Sequence, residues 1–291
     1  MQIVFHIGAH GTDGDRMLKT LLKNRDRLVQ RQVEIIPPQR HRTVIDDTLR
    51  ALAGGKATPA MEEMLLDTLL ETENPERVIL STQSLMGAPG RVCGRAGFYH
   101  QIGPRCAALT GLLPSAQSEF FLAIRNPATL LVEVMQQFTG GDYGELMQGL
   151  SPMNLRWRDV IRRMVAAAQG RRVVVWCHED VPLIWPELVR LMANLPGDVP
   201  LGGTLVYMQD LLTNAGLDAL QDSLTGRDQL SIPQRRRLFS TLLAEHARPE
   251  VVDQIVDLPG WTQELVDQVT AQYQADVAEI AVLPGVEFVM P

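Results

Sequence analysis

The sequence has few cysteines, a shortage of basic residues and no long apolar run, and each shortage excludes a class of protein. Its three cysteines, Cys93, Cys106 and Cys177, form no CxxC pair and no disulfide framework. We interpret them as free thiols of a reducing compartment. No apolar run approaches the roughly 20 residues that a membrane-spanning helix needs, and the first residues do not resemble a signal peptide. We therefore expect a cytoplasmic protein with no membrane segment.

Positive charge is in deficit over the whole chain. Lys and Arg number 27 against 34 Asp and Glu, which leaves a net charge of −7 with histidine neutral. Nucleic acids and anionic lipid surfaces require a basic footprint, so neither is an expected partner. Two nucleotide-binding signatures are missing as well: no window reads GxxxxGK[ST], and no GxGxxG follows the first apolar run. The kinase, GTPase and dinucleotide-binding interpretations therefore fail.

The chain does contain a regular alternation of short apolar runs and longer amphipathic segments. With 291 residues, of which 45% are hydrophobic, it can bury a large core. The apolar runs, interpreted as strands buried on both faces, are 3–7, 33–36, 77–81, 119–125 and 172–177. Helical periodicity is clearest over 59–72, 127–138 and 154–168. The alternation predicts an α/β fold with a central parallel sheet of about five strands flanked by helices.

The pattern changes near residue 185. Beyond it the periodicity is mainly helical, notably over 232–246 and 261–281, and 286–289 is a candidate last strand. Residues 201–204 and 226–231 are interpreted as connections, and neither has the composition of a flexible linker.

The two patterns adjoin each other without a linker, a repeat or a low-complexity tract between them. We therefore expect one domain over 1–291, with the sheet in 1–184 and a mainly helical region in 185–291.

The segment after the first predicted strand has the form of an anion-binding loop. A glycine-bearing turn leads from His6 into an amphipathic helix that begins near Arg16 and reaches Val29, so backbone N–H groups and the positive end of a helix dipole point at one place. The candidate ligand contacts in this segment are Gly11, Thr12, Asp13, Gly14, Asp15 and Arg16. The two carboxylates among them are unexpected, because a site for phosphate or sulfate should be basic.

Four motifs in this order resemble the P-loop sulfotransferases, in the bacterial branch whose N-terminal motif is of the type His-Ile-Gly-Ala-His-Lys-Thr-Gly-Thr-Thr. The segments that carry the resemblance are His6-Ile7-Gly8-Ala9-His10-Gly11-Thr12, Leu80-Ser81, Ala123-Ile124-Arg125-Asn126-Pro127 and Glu179-Asp180. Each motif is weak alone, and their order on successive strands and loops makes the likeness more specific.

The resemblance implies a P-loop NTPase/sulfotransferase-like α/β fold and a site for PAPS, the phosphoadenylyl sulfate donor. In that family the loop amides and a loop Lys hold the phosphosulfate, an Arg and a Ser hold the ribose phosphate, and a His or Glu takes the proton of the acceptor. Carried over to this chain, the donor contacts are Thr12, Arg16 and Arg125. The acceptor is then a small molecule, a glycan or a lipid.

The departures from the family pattern fall in this same site. They are Gly11 for the loop Lys, Asp13 for a glycine, Gly14 and Asp15 for two hydroxyl residues, Glu133 for the Ser, and Gln83 for a frequent Glu. A carboxylate about 5 Å from a phosphate costs about 3 kcal/mol at an effective dielectric near 20. The lost Lys contact forfeits roughly another 1.5–3 kcal/mol. The amide of Gln83 cannot act as a base.

Two functions follow from these observations. One is a PAPS-dependent sulfotransferase with substituted donor contacts and an unidentified base. The other is a catalytically inactive relative, a pseudoenzyme that keeps the scaffold and binds a metabolite, a peptide or a protein. The family resemblance favours the first and the chemistry of the residues favours the second, so the site itself has to decide.

Asp13 and Asp15 have two further interpretations. Acidic residues at the N-cap and in the first turn favour the start of a helix, which is the interpretation we prefer. Alternatively the pair binds a divalent cation together with an incoming phosphate. Arg16 or Lys19 could also turn back and replace the missing Lys, and Arg16 is the better placed of the two. No metal site is predicted.

Two other groups of residues are candidates for chemistry. His6, His10 and His178 with Asp180 form either a metal or acid–base cluster or a set of hydrogen-bonded histidines at the sheet edge, and we prefer the second. Arg91, Arg95 and Arg105 lie in a glycine-containing stretch that either supplies anion contacts or is solvated, the latter being preferred.

Overall fold

The chain folds around a six-stranded parallel sheet. The computed structural model describes residues 1–225, 230–252 and 254–291. The strands are Gln2–His6 (β1), Val33–Ile36 (β2), Arg77–Ser81 (β3), Gln117–Ile124 (β4), Arg172–Cys177 (β5) and Val286–Val289 (β6). Their order across the sheet is β2-β3-β1-β4-β5-β6, and every neighbouring pair is parallel. The predicted α/β class is thus confirmed, and the C-terminal segment adds a sixth strand at one edge.

Helices connect the strands and cover both faces of the sheet. They are Arg16–Lys23 (α1), Arg25–Val29 (α2), Pro38–Leu52 (α3), Pro59–Leu69 (α4), Ile102–Leu112 (α5), Pro127–Gln137 (α6), Tyr143–Met147 (α7), Trp157–Ala168 (α8), Val181–Ala193 (α9), Val206–Leu211 (α10), Asn214–Leu224 (α11), Ile232–His246 (α12), Pro249–Val252 (α13) and Gln263–Ala281 (α14). Short 3-10 helices span Gln83–Met86, Pro89–Arg91, Pro152–Asn154 and His178–Asp180.

β1 lies inside the sheet because both of its edges are paired. Phe5 is opposite Leu80 of β3 on one side and opposite Phe120 of β4 on the other. Residues Ile3 to His6 are all buried, as expected for a strand that is covered on both faces. The loop that follows β1 therefore starts at an interior position of the carboxyl edge of the sheet.

Alternate strand residues enter two cores, one on each face of the sheet, because successive side chains of a strand point in opposite directions. Phe5 and Phe120 belong to the larger core, which includes residues of α3, α4, α5, α6, α8 and α14. Val4 and Phe121 belong to the other core, with residues of α1, α2, α9 and α10. A third cluster joins α10, α11 and α12.

This distribution of helices creates a switch point in the topology. The chain leaves β1 toward one face through α1, whereas α5 and α6, which follow β3 and β4, cover the opposite face. Where neighbouring strands send the chain to opposite faces, a crevice opens outside their carboxyl ends, and α/β proteins bind ligands there. The loop after β1 lies at that crevice.

Asn24 ends the first helix earlier than the sequence pattern predicts. The Asn24 side-chain amide donates to the carbonyl oxygens of Thr20 (2.7 Å) and Gly202 (2.9 Å), and its Oδ1 accepts from the Gly202 N–H (2.9 Å). An Asn side chain that bonds to backbone groups competes with helical hydrogen bonds. The helix expected to reach Val29 is therefore two helices, α1 and α2, joined at Asn24.

α4 also ends early, at Leu69 rather than residue 72. The buried carboxylate of Glu34 accepts the N–H groups of Glu71 (2.7 Å) and Thr72 (2.9 Å), which draws these residues out of the helix. The predicted ends of β1, β4, α6, α8 and α14 differ from the observed ends by one to three residues.

The C-terminal region is mainly helical as predicted, although its first helix, α9, already begins at Val181. The predicted connection 201–204 lies between α9 and α10. The predicted connection 226–231 includes residues 226–229, which are outside the described residues. Across the described ranges, no helix has both the length and the apolar character needed to cross a bilayer.

Candidate ligand-binding site

The loop after β1 is held against β4. The Ile7 N–H donates to the Phe121 carbonyl oxygen (3.0 Å), and the Ala9 N–H donates to that of Ala123 (2.9 Å). The Ala123 N–H in turn donates to the Gly8 carbonyl oxygen (2.7 Å). The loop thus continues the strand pairing before it turns into α1, and this brings Gly11 close to Arg125 at the end of β4.

Gly11 and Glu133 are in direct contact beside the loop. A Cβ atom on residue 11 would lie 2.5 Å from the Cβ of Glu133, and Gly11 has a φ of +65°, which favours glycine. Arg125 donates a hydrogen bond to the Gly11 carbonyl oxygen, and its Nη2 is 3.4 Å from Oε1 of Glu133. The buried guanidinium also donates to Thr129 Oγ1 (3.1 Å) and to Gln254. Arg125 therefore has protein partners for its donors.

The loop side chains that resemble donor contacts are bonded within the protein. The buried hydroxyl of Thr12 donates to the Ala9 carbonyl oxygen at 2.8 Å. The Gly11 N–H donates to Gln83 Oε1 at 3.3 Å. Gly14 has a φ of +54°, and a Cβ there would lie 3.2 Å from Arg16 Nη1. The hydroxyl of Thr12 is therefore bonded to the loop backbone and is not presented to an anion in the loop.

The two acidic residues of the loop differ in their roles. Asp13 Oδ2 accepts the N–H of Met17 at 3.1 Å, so the capping interpretation is confirmed for Asp13. Asp15 is the residue that precedes α1, with a left-handed φ of +63°, and its side chain makes no capping hydrogen bond. The resemblance implies that Arg16 contacts the sulfate donor PAPS. In the structure Arg16 instead forms an ion pair with Asp210 of α10, with 2.6 Å between Nη2 and Oδ2.

Two of the three histidines in the proposed cluster hydrogen-bond with other residues. His6 Nδ1 is 2.7 Å from the Ser81 hydroxyl. His10 Nε2 is 3.0 Å from the Gly87 carbonyl oxygen, and its Nδ1 is 3.0 Å from the Tyr99 hydroxyl. Burial lowers the pKa of both imidazoles. The interpretation as hydrogen-bonded histidines is confirmed for His6 and His10.

Metal and thiol chemistry find little support at the site. Among residues 1–225, 230–252 and 254–291, no group of three or more His, Cys, Asp and Glu side chains is placed to hold a metal ion. Cys93, Cys106 and Cys177 are buried free thiols, as predicted, and burial raises the pKa of each to about 12. A thiol with so high a pKa is not a nucleophile at neutral pH.

A cavity of about 810 Å³, which we call the ligand cavity, opens beyond the carboxyl ends of β4 and β5. Its wall combines residues that follow these two strands with residues of the C-terminal helices. The lining residues are Arg125, Asn126, Thr129, His178, Glu179, Pro182, Tyr207, Leu211, Leu243, Ala247, Val251, Gln254, Ile255, Val256, Trp261, Thr262, Gln263 and Val266. The volume lies within the range of about 300–1,000 Å³ that is usual for small-molecule sites.

The lining of the ligand cavity includes two residues with a buried polar atom that has no hydrogen-bond partner in the described residues. The two atoms are Nδ1 of His178 and the hydroxyl oxygen of Tyr207. Burial, followed by the charges of Arg125 and Arg16, lowers the pKa of His178 to about 3, so its imidazole is neutral at physiological pH. Burial raises the pKa of Tyr207, which lies beneath Arg16 with the guanidinium carbon 5.2 Å from the ring centre.

Glu179 and Asn126 form another part of the cavity lining. Glu179 accepts the backbone N–H of Asn126 (2.8 Å) and the hydroxyl of Tyr273 (2.8 Å). The Asn126 amide donates to Thr270 of α14 (2.9 Å), while its Oδ1 caps α6 at Ala128 (3.0 Å). The Glu179 carboxylate therefore positions both the start of α6 and the part of the cavity wall that α14 forms.

The C-terminal helices contribute much of the apolar lining of the ligand cavity. These side chains come from α12, α13, the segment that leads into α14 and α14 itself, with Leu243, Val256 and Val266 among them. Trp261 is held by a hydrogen bond of 2.6 Å from its Nε1 to the Tyr143 hydroxyl. A lining that combines polar groups with apolar side chains suits an amphipathic molecule.

Sequence reasoning placed Arg125, His178 and Glu179 at the carboxyl edge but missed the residues that close the cavity. Tyr207, Gln254 and Trp261 lie in the C-terminal region, where no motif marks them. Residues such as Arg91 and Arg95 do not line the ligand cavity.

Comparison with known proteins gives no relative of this chain: no protein-family model, no curated protein and no solved structure matches it.

Proposed function

We propose that this chain is a binding protein built on a P-loop sulfotransferase-like fold, and that it holds an amphipathic small molecule in the ligand cavity without transferring a sulfuryl group. The observation that carries the proposal is the contact of Glu133 with Gly11 beside an Arg125 already bonded to the loop. The same contact fills the space that a loop Lys would need, and it puts a carboxylate next to the expected phosphate-binding Arg.

The residues present do not fit PAPS. Arg125 and Arg16 are engaged by Glu133 and by Asp210, respectively. Thr12 donates its hydroxyl to the loop backbone. Binding a nucleotide with several negative charges would require these bonds to break, and it would bring phosphate near the carboxylate of Glu133, at a cost of several kcal/mol on the scale of about 3 kcal/mol for each such pair. No transfer step is therefore derived.

The ligand cavity supports the part of the proposal that concerns binding. His178 and Tyr207 offer hydrogen-bonding atoms that are buried and without a partner in the described residues. Leaving such atoms unpaired is unfavourable, so a bound head group that pairs with them gains free energy. A His178 pKa of about 3 makes the imidazole a poor base at neutral pH, which favours binding over proton transfer.

The first experiment measures binding in the ligand cavity with a fluorescent amphipath, 1-anilinonaphthalene-8-sulfonate. We expect saturable binding of one dye per chain. Ala247→Trp, at the residue after the end of α12, would place an indole in the cavity and abolish that binding, whereas Ala244→Trp, at an exposed position of α12, would leave it unchanged. Equal effects of the two variants would contradict a site in this cavity.

The second experiment addresses sulfuryl transfer, the alternative that the resemblance implies. Thermal unfolding is followed with PAPS and with its desulfated product at about 1 mM. A ligand at roughly 100 times its Kd adds about 2.7 kcal/mol to the free energy of unfolding. We expect no shift with either nucleotide. A shift with both, together with transfer of labelled sulfate to an acceptor, would establish the sulfotransferase instead.

A further inference from the structure

A second cleft of about 300 Å³ lies between α3, α5 and the turns that follow β3. Its lining residues are His10, Arg42, Asp46, Gln83, Ser84, Gly87, Ala88, Pro89 and Arg105. None of them lines the ligand cavity, so the two sites are separate. We call this one the arginine cleft.

Arg105 is fixed in position at the wall of the arginine cleft. Its Nη1 donates to the Leu85 carbonyl oxygen (3.2 Å) and its Nε to Gln101 Oε1 (3.4 Å). The guanidinium also lies against Gly87, where a Cβ would be 3.1 Å from Nη2 and where the φ of +106° favours glycine. A glycine at this turn therefore makes room for the cation.

The charge of the arginine cleft runs against that of the whole chain. Arg42 and Arg105 face a single carboxylate among the lining residues, Asp46, so two positive charges against one negative leave an excess of one. In the described part of the chain, neither arginine has a carboxylate within the 4.0 Å of an ion pair. The whole chain, by contrast, has a net charge of −7.

Partial burial makes this arrangement unfavourable in the free protein. Burial lowers the pKa of the Arg105 guanidinium, and nearby Arg91 lowers it further, while Asp46 acts in the opposite direction. A cation taken partly out of water without a carboxylate in ion-pair contact loses hydration, and the two neutral acceptors on Leu85 and Gln101 replace only part of it. A bound anion would supply the missing interaction.

His41 provides an independent observation in a small void that adjoins the arginine cleft. It is fully buried, and neither ring nitrogen has a hydrogen-bond partner in the described residues. It faces a small void of about 30 Å³ whose lining shares four residues with the arginine cleft, namely Arg42, Asp46, Ser84 and Arg105. Burial lowers the pKa of His41 to about 4, so the neutral ring offers one N–H donor and one acceptor nitrogen.

The geometry points to the arginine cleft as a binding site for a small metabolite that carries a phosphate or carboxylate group. The guanidinium groups of Arg42 and Arg105 bind the oxyanion, since their planar forks match two oxygens at once. The Ser84 hydroxyl is the neighbouring neutral donor. The volume of about 300 Å³ suits a small metabolite, because it is at the lower end of the usual range for ligand sites.

The test is calorimetric titration of the full chain with inorganic phosphate and, separately, with malonate, at constant ionic strength. Arg42→Gln is the principal variant because its side chain is exposed and outside the core, so the fold does not depend on it. A charge-assisted contact is worth roughly 1.5–3 kcal/mol, so affinity should fall about tenfold or more. Arg31→Gln, an exposed arginine at the opposite edge of the sheet, is the matched charge control.

Binding of either anion that Arg42→Gln weakens and Arg31→Gln does not would support the site, and the tighter of the two anions identifies the head group. Arg105→Gln should weaken the same anion at least as strongly. Absence of binding of both anions at about 10 mM would overturn the proposal. Equal weakening by Arg42→Gln and Arg31→Gln would overturn it as well, because the attraction would then come from overall charge.

Discussion

Gly11 and Glu133 pack so closely that a Cβ at position 11 would lie 2.5 Å from the Cβ of Glu133. The two positions are far apart in the sequence, and each departs from the sulfotransferase pattern in its own way. The structure joins them in one contact at the side of the loop, with Arg125 bonded to both residues. A side chain as large as lysine at position 11 and a glutamate at position 133 exclude each other sterically.

This contact also explains why Arg125 is not available as a free cation. Its Nη2 is 3.4 Å from Glu133, and its donors are otherwise taken by the Gly11 carbonyl oxygen, Thr129 and Gln254. A buried arginine needs such partners, because an unpaired buried charge is strongly unfavourable. The loop is thus stabilised from within by the residue that the family resemblance assigns to the donor.

Glu133→Ala should therefore increase the affinity of the loop region for anions. Removing the carboxylate leaves Arg125 with uncompensated positive charge, and it removes a repulsion worth about 3 kcal/mol for a phosphate about 5 Å away. We expect adenosine 3′,5′-bisphosphate to change from no measurable heat at about 1 mM to a measurable Kd in calorimetry.

Glu63→Ala, which removes an exposed carboxylate far from the loop, serves as the control for net charge. If both variants gained equal affinity for the bisphosphate, or if neither did, the contact of Glu133 with Arg125 would not be what prevents anions from binding beside the loop.

Asp13→Ala should destabilise the protein by about 1 kcal/mol, the usual effect of removing a capping side chain. The reason is the hydrogen bond from the Met17 N–H to Asp13 Oδ2 at 3.1 Å. Asp15→Asn should be nearly neutral, because Asp15 makes no capping bond and asparagine tolerates its left-handed φ of +63°. Urea unfolding of both variants measures the difference.

A metal role for Asp13 predicts the opposite pattern. In that case Mg²⁺ or Mn²⁺ would raise the melting temperature of the natural chain, and Asp13→Ala would abolish the rise. The capping role predicts that the destabilisation is the same with and without the metal.

The sheet was largely predictable because its strands are buried on both faces. Runs such as Val33–Ile36 and Arg172–Cys177 are nearly continuous apolar segments, and their boundaries match the structure residue for residue. The helix ends were harder to predict. Asn24 and Glu34 break or end helices by bonding to backbone groups that are distant in sequence, and no local pattern encodes those partners.

The residues of the candidate site also divide into those that the sequence predicts and those that it does not. Arg125 and Glu179 follow strands, so a parallel sheet places them at its carboxyl edge. Tyr207 and Gln254 reach the cavity only because the C-terminal helices pack across that edge, and Gln254 meets Arg125 over a separation of 129 residues. Packing of this range has no signature in a single sequence.

His41→Phe should reduce the acid sensitivity of the protein. The folded-state pKa of His41, about 4, is below the usual value of 6.5, so between these values the unfolded chain binds more protons. Stability contributed by the neutral ring is complete above about pH 6.5 and is lost as the pH falls toward 4. Over the interval from pH 6.5 to 5, one such histidine accounts for about 2 kcal/mol.

The measurement compares urea unfolding of the natural chain and of His41→Phe at pH 7 and pH 5. The difference at pH 7 reports the change in packing alone, and the further difference at pH 5 reports the proton. We expect the variant to lose about 2 kcal/mol less than the natural chain on acidification. Parallel losses would mean that His41 does not titrate within that interval.

Arg156→Ala should loosen the wall that α14 contributes to the ligand cavity. Arg156 Nη2 lies 2.6 Å from Oδ1 of Asp276, a carboxylate that is 1% exposed, and its Nε is 3.0 Å from the same oxygen. Removing the partner of a buried charge typically costs about 3–5 kcal/mol, and we expect about 3 kcal/mol here because Arg158 stays 3.7 Å from Asp276.

The matched control is Arg162→Ala, whose ion pair with Glu279 at 3.1 Å is exposed on both sides and should contribute less than about 1 kcal/mol. Urea unfolding gives the free energies, and titration with 1-anilinonaphthalene-8-sulfonate gives the affinity of the cavity. Arg156→Ala should weaken the dye more than Arg162→Ala does, because Val266 and Gln263 of α14 line the cavity and move with the helix. If Arg156→Ala destabilised the chain yet left dye affinity unchanged, the position of α14 would not determine the shape of the site.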